Sequence, residues 1–164
     1  MKTKTTILML ILFVSFLQVK SQDCSYKTNE VDKASGKTMK ITKSKMVADN
    51  PLVSALKISG QKNGDDCSIN CLYDAGFGGK NMVVSKNAEF IITLEDGTEI
   101  KLLRGTDKDN YPISKGQINS LLKSKASMIQ YYFTSAKTGE YKKEVYKISS
   151  GGADKIQDIM KCIN

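Results

Sequence analysis

The chain has 164 residues, 25 of them basic and 17 acidic, and it contains no histidine and no tryptophan. The absence of histidine removes the commonest general base, the Ser-His and Cys-His nucleophile pairs and most zinc sites. We therefore expect no catalytic residues, no metal site and no cofactor. A chain of this length is expected to form one domain whose core is filled by Ile, Leu, Val and Tyr.

Residues 1–21 are predicted to be a cleavable signal peptide. An apolar run from Ile7 to Leu17 follows two lysines. Val19 and Ser21, which are small or medium-sized, lie at positions −3 and −1 of a cleavage site between Ser21 and Gln22. The run is shorter than the roughly 20 apolar residues that span a bilayer. We expect a secreted or periplasmic protein whose mature domain is residues 22–164, with no transmembrane segment after cleavage.

The charge of the mature chain is moderately basic. Three of the basic residues and none of the acidic ones lie in the signal peptide, so the net charge falls from +8 to +5. Arg104 is the only arginine, whereas proteins that read nucleic-acid sequence usually depend on bidentate arginine contacts. The expected partner is an envelope or extracellular protein, or a polyanion, and not a specific nucleic acid.

The strongest local signal is a β-hairpin between Ala88 and Arg104. Apolar residues alternate with polar ones on both sides of Glu95-Asp96-Gly97. A three-residue loop with Gly97 in the left-handed region pairs Phe90 with Leu102, Ile92 with Ile100 and Leu94 with Thr98, which gives one apolar face. A two-residue loop would mix charged side chains into that face, so we predict the longer loop.

Weaker alternation and turn residues predict further strands at 26–31, 38–46, 52–61, 66–73, 82–84, 128–134 and 141–148. Residues 32–36, Asn63-Gly64 and 136–139 are the predicted turns. Residues 107–112 are predicted to form a polar loop, and Gly151-Gly152 is predicted to end the last strand.

Two helices are predicted. Ser114 followed by Gln117 forms a capping box, and Ile113 with Ile118 forms a hydrophobic staple, so we expect a helix of two to three turns. Near the end of the chain, apolar residues recur at helical spacing from Ala153 to Ile163 and predict an amphipathic helix that packs on the sheet.

The four cysteines of an exported chain are expected to form disulfides. Cys24 and Cys162 lie near the two ends of the mature chain, and domain termini are often close together, so we predict that they are bonded. Cys67 and Cys71 would lie about 13 Å apart on a continuous strand, beyond the reach of a disulfide. They are therefore either bonded across a distorted strand or two buried thiols.

Two kinds of candidate site follow from the sequence. The glycine-rich loop 76–81 exposes Phe77, Gly78 and Lys80 as candidate binding residues. The alternative is a small hydrolase or carbohydrate-active enzyme built on paired carboxylates, for which the candidates are Asp65, Asp66, Glu95, Asp107 and Asp109. Clusters of carboxylates in turns are also ordinary turn chemistry. We therefore expect a non-catalytic extracytoplasmic binding or interaction domain.

Short scaffold motifs carry a resemblance to known proteins. The chain is similar to a group of small, uncharacterised secreted or periplasmic bacterial proteins in Asn29-Glu30-Val31-Asp32, Ser35-Gly36-Lys37, Leu94-Glu95-Asp96-Gly97, Ile113-Ser114 and Lys161-Cys162-Ile163. The resemblance implies export and fold only. The expected fold is a single α+β domain, mostly antiparallel and sandwich-like, with one short internal helix and a C-terminal amphipathic helix.

Overall fold

A computed structural model describes residues 24–31, 33, 35–50, 54–75, 82–83, 89–105, 110–135 and 139–164. The predicted signal peptide and its cleavage site lie outside these residues and stay predictions. Within the described ranges, no helix has both the length and the apolar character needed to cross a bilayer.

The described residues form eleven strands and two helices. The strands are β1 Tyr26–Val31, β2 Thr38–Thr42, β3 Lys45–Asn50, β4 Ser54–Asn63, β5 Asp66–Ala75, β6 Met82–Val83, β7 Glu89–Leu94, β8 Glu99–Leu103, β9 Asn110–Pro112, β10 Ala126–Ser135 and β11 Tyr141–Lys147. The helices are α1 Lys115–Lys123 and α2 Ser150–Ile163. Every strand pairing in the described residues is antiparallel, which confirms the predicted α+β fold class.

The strands form two sheets. Sheet 1 has the order β1-β2-β4-β5-β9, with β3 paired to β4 beside β2. Sheet 2 has the order β11-β10-β7-β8, with β6 paired to β10. Phe90 of sheet 2 contacts Tyr111 of sheet 1, with ring centroids 5.1 Å apart. One hydrophobic core contains inward-facing residues of both sheets together with the apolar faces of both helices, as expected of a sandwich-like domain.

The predicted central hairpin is confirmed as β7 and β8. Phe90 pairs with Leu102 and Ile92 pairs with Ile100, and all four side chains are buried. Leu94 N donates to Thr98 O at 2.9 Å, and Gly97 has a φ of 83°. The three-residue loop is therefore the one that keeps a single apolar face.

The prediction of one continuous strand over residues 38–46 is wrong. β2 and β3 are two separate strands that pair with successive parts of β4. Ile41 pairs with Gln61 and Lys45 pairs with Ile58, so one extra residue lies on the β2–β3 side. At this irregularity the Thr42 hydroxyl accepts a hydrogen bond from Gly60 N at 2.8 Å. In an unbroken strand, a backbone carbonyl group would accept this bond instead.

The prediction of a polar loop over residues 107–112 is wrong at its end. Asn110–Pro112 forms β9, the last strand of sheet 1, and Tyr111 is fully buried. The Asn110 side-chain amide donates to Ser68 Oγ at 2.7 Å and to Asn70 Oδ1 at 2.9 Å. These hydrogen bonds give partners to two polar side chains on the outer face of β5. The local sequence pattern does not predict them, because the residues that they join are about 40 positions apart.

The predicted capping of α1 is confirmed. Ser114 has extended backbone angles, its hydroxyl accepts from Gln117 N at 3.3 Å, and Gln117 Oε1 accepts from Ser114 N at 2.9 Å. Ile118 and Leu121 are fully buried against the core. The helix spans nine residues, within the predicted two to three turns.

The prediction that Gly151-Gly152 ends the last strand is wrong, because both glycines lie in the first turn of α2. β11 ends at Lys147, and Ser149 is the N-cap, accepting from Gly152 N at 3.2 Å. A Cβ atom at Gly152 would overlap the backbone carbonyl oxygen of Val47, whereas one at Gly151 would meet no atom within 4 Å. Gly152 thus permits the close approach of α2 to β3.

The predicted bond between Cys24 and Cys162 is confirmed, and it joins the segment that precedes β1 to the last turn of α2. Cys67 and Cys71 are two buried thiols on β5, so of the two alternatives the unbonded one is correct. The Cys67 thiol donates to Ile163 O at 3.1 Å, and burial raises its pKa. Together with the Tyr26 hydroxyl, which donates to Cys162 O at 3.0 Å, it satisfies carbonyl groups at the end of α2.

Candidate functional site

The candidate binding residues Phe77, Gly78 and Lys80 lie outside the described residues, so the loop stays a prediction. The described part of the chain offers two other surfaces with features of a site. One is the outer face of sheet 2 with its edge strand β11, and the other is a cleft at the start of α2.

The outer face of sheet 2 is the surface opposite the core. Along β11, Tyr146 points inward and is buried, whereas Tyr141, Lys143, Val145 and Lys147 point outward and are exposed. The register carries this face across the other strands, since Val145 lies opposite Gln130 and Gln130 lies opposite Ile91, which in turn lies opposite Lys101. Ile91, in the middle of this face, is itself buried, so the exposed apolar residues lie toward its two edges. Leu103 lies on the same face of β8, because side chains two apart on a strand share a face.

Large apolar side chains are exposed on both edge strands of this face. Leu103 on β8 is 66% exposed, and Tyr141 and Val145 on β11 are 57% and 48% exposed. On sheet 1 the exposed apolar side chains are Val31, Met46 and Leu72. Met46 and Leu72 both lie opposite Lys57 of β4 and so share one face, whereas sheet 2 has three such residues on one face. Single exposed apolar residues are ordinary, but a group on one face, interleaved with polar residues, is typical of a binding surface.

Two tyrosines form a stacked pair on the outer face of sheet 2. The rings of Tyr132 and Tyr141 lie 5.5 Å apart at an interplanar angle of 20°, and the Lys143 ammonium lies 5.9 Å from the centroid of the Tyr132 ring. Partial burial raises the pKa of Tyr141, and the negative charge of Glu89 and the neighbouring Tyr132 add to the effect. The Tyr141 hydroxyl is therefore a neutral hydrogen-bonding group at physiological pH.

β11 is also an open edge, because no described strand pairs with its other side. Antiparallel neighbours alternate between residue pairs that exchange backbone hydrogen bonds and pairs that do not. Ile148 N donates to Ser127 O at 2.9 Å, and these two residues continue the register of β10 and β11 by one step. The backbone groups directed away from the sheet therefore belong to Tyr141, Lys143, Val145 and Lys147.

The cleft at the start of α2 has a volume of about 260 Å³ and lies between β3, the end of β11 and the first turn of the helix. Lys147 and Lys155 line it, and among its lining residues none is acidic. Lys155 Nζ donates a hydrogen bond to Met46 O at 3.1 Å, and Gly152 N donates to the hydroxyl of Ser149, the N-cap residue of α2. Of the two lysines, only Lys147 makes no polar contact with another described residue.

Of the candidate carboxylates, Asp65 and Asp66 are neighbours in sequence, whereas Glu95 lies apart from them. Asp65 lies 3.7 Å from Lys115 Nζ at the start of α1, and Asp66 is the first residue of β5. Glu95 N donates to Lys125 O just beyond the end of α1. The ends of a nine-residue helix lie about 12 Å apart, so Asp65 and Glu95 are at opposite ends of α1.

Asp107 and Asp109 lie outside the described residues, and the enzyme alternative stays a prediction. In the part of the chain that the structure describes, no group of three or more Cys, Asp or Glu side chains is placed to hold a metal ion.

Sequence reasoning missed the outer face of sheet 2. In the segment Tyr141–Lys147, one tyrosine has an odd residue number and the other an even one, and the lysines also occur at both kinds of position. Odd and even positions lie on opposite faces of a strand, so the sequence does not show which face is buried. Only the pairing with β10 distinguishes buried Tyr146 from exposed Tyr141.

Comparison of the chain with protein-family models, with curated proteins and with solved structures finds no match. The resemblance to small secreted bacterial proteins therefore stays a prediction from the motifs that carry it.

Proposed function

We propose that the mature chain is a non-catalytic extracytoplasmic binding domain, and that its binding surface is the outer face of sheet 2 together with the edge strand β11. The observation that carries the proposal is the exposure of Leu103, Tyr141 and Val145 on one sheet face. Burying apolar surface of this kind supplies free energy for association, and tyrosine is enriched where proteins meet partners.

Export to an oxidising compartment is supported by two features. The predicted signal peptide precedes the mature domain, and the bond between Cys24 and Cys162 is of a kind that persists outside the cytoplasm. The absence of histidine and the separation of Asp65 from Glu95 in the described residues favour binding over catalysis.

The binding surface is tested with two matched variants of the purified mature protein. The first replaces Leu103, Tyr141 and Val145 with serine, and the control replaces Val31 and Leu72, which are similarly exposed on sheet 1, with serine. Each protein is immobilised and incubated with the envelope and secreted fractions of the source cell, and retained proteins are quantified by mass spectrometry.

The proposal predicts a component retained by the wild-type and control proteins, whose retention falls about tenfold or more with the sheet 2 variant. Equal retention by all three proteins, or no retention above an empty resin, would contradict it. Circular dichroism of each variant checks that the fold is intact before the comparison is made.

A further inference from the structure

We infer that the partner presents an extended acidic segment, which binds by adding a strand to the open edge of β11. The inference rests on the proposed function and specifies the chemistry of its partner. In this mode of recognition the main chain provides hydrogen bonds, and side chains at alternate positions provide specificity.

Of the four strands that end the two strand orders, β11 is the most suitable for strand addition. Its ladder with β10 runs through seven consecutive residue pairs without a register shift. β1, the edge of sheet 1, has an irregularity between Tyr26 and Thr28, which disturbs the row of backbone groups that a new strand would need. β8 has five residues and β9 has three.

The backbone groups that face the open edge belong to the same residues whose side chains lie on the outer face. An added strand would therefore bond to Tyr141, Lys143, Val145 and Lys147 and place its own alternate side chains beside theirs. Along this face β11 alternates apolar, cationic, apolar and cationic residues. The complementary segment alternates apolar and acidic residues at every second position, since opposite charges across strands attract and like charges repel.

The two lysines are available for such pairing. Within the described residues, neither Lys143 nor Lys147 forms an ion pair with an acidic side chain. Lysine on an edge strand normally prevents pairing with another chain. Here the same charges would disfavour pairing with a neutral or basic strand and favour pairing with an acidic one. The two lysines would thus both protect the edge from unspecific pairing and select the partner.

The test uses synthetic peptides and the full mature protein. The acidic peptide is Glu-Thr-Val-Thr-Glu-Thr-Val, which in the antiparallel direction places glutamate opposite Lys147 and Lys143 and valine opposite Val145 and Tyr141. The basic peptide has lysine in place of both glutamates. A third peptide carries N-methyl groups on its third residue, valine, and on its fifth residue, glutamate. These groups remove two backbone N–H donors that would be directed at β11.

Fluorescence anisotropy at about 20 mM salt should show that the acidic peptide binds about tenfold or more tightly than the basic one, with a smaller difference at about 0.5 M salt. N-methylation should abolish binding. Hydrogen exchange of the bound protein should slow at the amides of Tyr141, Lys143 and Val145, while those of Glu144 and Tyr146, which already face β10, change little.

Charge reversal supplies a gain of function that misfolding would not produce. The variant Lys143→Glu/Lys147→Glu should reverse the order and bind the basic peptide more tightly. The control Lys27→Glu/Lys43→Glu changes the net charge equally through exposed residues outside sheet 2 and should keep the wild-type order.

Three results would each overturn the inference: no binding of the acidic peptide at about 1 mM, equal binding of the N-methylated peptide, or an unchanged order in the charge-reversal variant. If the acidic peptide fails while retention of a cellular component still depends on Leu103, Tyr141 and Val145, strand addition is wrong and the proposed binding surface stands. If retention does not depend on those residues, the proposed function fails by its own test.

Discussion

Replacing Gly152 with alanine should destabilise the protein, whereas the same change at the adjacent Gly151 should not. A Cβ at Gly152 would overlap the Val47 carbonyl oxygen and lie 3.1 Å from Cγ2 of Ile148. Ordinary contacts between carbon atoms begin near 3.5 Å, and a backbone oxygen cannot rotate away. The first turn of α2 would have to move off β3, and overpacking of this kind costs about 1–3 kcal/mol.

The gain in helix propensity opposes this cost only in part. Alanine is better than glycine in a helix by up to about 1 kcal/mol, and the gain is smaller in the first turn. The expected net loss for Gly152→Ala is therefore about 1–2 kcal/mol, or a decrease in melting temperature of roughly 3–8 °C. Gly151→Ala meets no atom within 4 Å and should be neutral or stabilising by about 0.5 kcal/mol.

Differential scanning calorimetry and urea unfolding of the two variants measure these differences. Equal stability of Gly152→Ala and Gly151→Ala would refute the close approach of α2 to β3. A crystal structure of Gly152→Ala should show the start of α2 displaced from Val47.

Removing the bond between Cys24 and Cys162 by serine substitution should lower the free energy of unfolding by up to about 5 kcal/mol, because it closes a loop over a sequence separation of 138. Urea unfolding under oxidising conditions measures the loss, and a change below about 1 kcal/mol would argue against the bond. Ser114→Ala should cost about 1 kcal/mol by removing the cap of α1. Ser120→Ala, which removes only a bond from the hydroxyl to Gly116 O, should be near neutral, and equal costs for the two serine variants would contradict the capping role. The carboxylate of Asp96 accepts from Thr98 N at 2.9 Å, and this bond lowers its pKa. Its contribution to stability should be present above the unfolded-state pKa of about 3.9 and lost as pH falls through the lower folded-state pKa. NMR titration that placed the pKa of Asp96 at or above the usual value would contradict this.

The features that sequence reasoning predicted are those encoded by neighbouring residues. The loop length of the central hairpin follows from which residues would share a face with Phe90 and Ile92. The start of α1 follows from Ser114 and Gln117, which are three residues apart. The pairing of Cys24 with Cys162 followed from two expectations, that the cysteines of an exported chain are oxidised and that the ends of the domain meet.

The features that were missed depend on residues distant in sequence. The break between β2 and β3 is accommodated by the Thr42 hydroxyl bonding to Gly60, and β9 pairs with a strand about 40 residues earlier. The position of Gly152 in a helix depends on contact with Val47. The proposed binding surface has the same origin, because the burial of Tyr146 and exposure of Tyr141 are decided by the partner strand.

The bond between Cys24 and Cys162 encloses nearly every described residue of the domain. A protease that cuts the backbone once between these two positions therefore yields two pieces that stay covalently joined until a reductant is added. Gel electrophoresis of a nicked sample would show one band without reductant and two bands with it. In a compartment that holds both proteases and oxidants, a single cleavage would change the connectivity of the molecule without releasing a fragment.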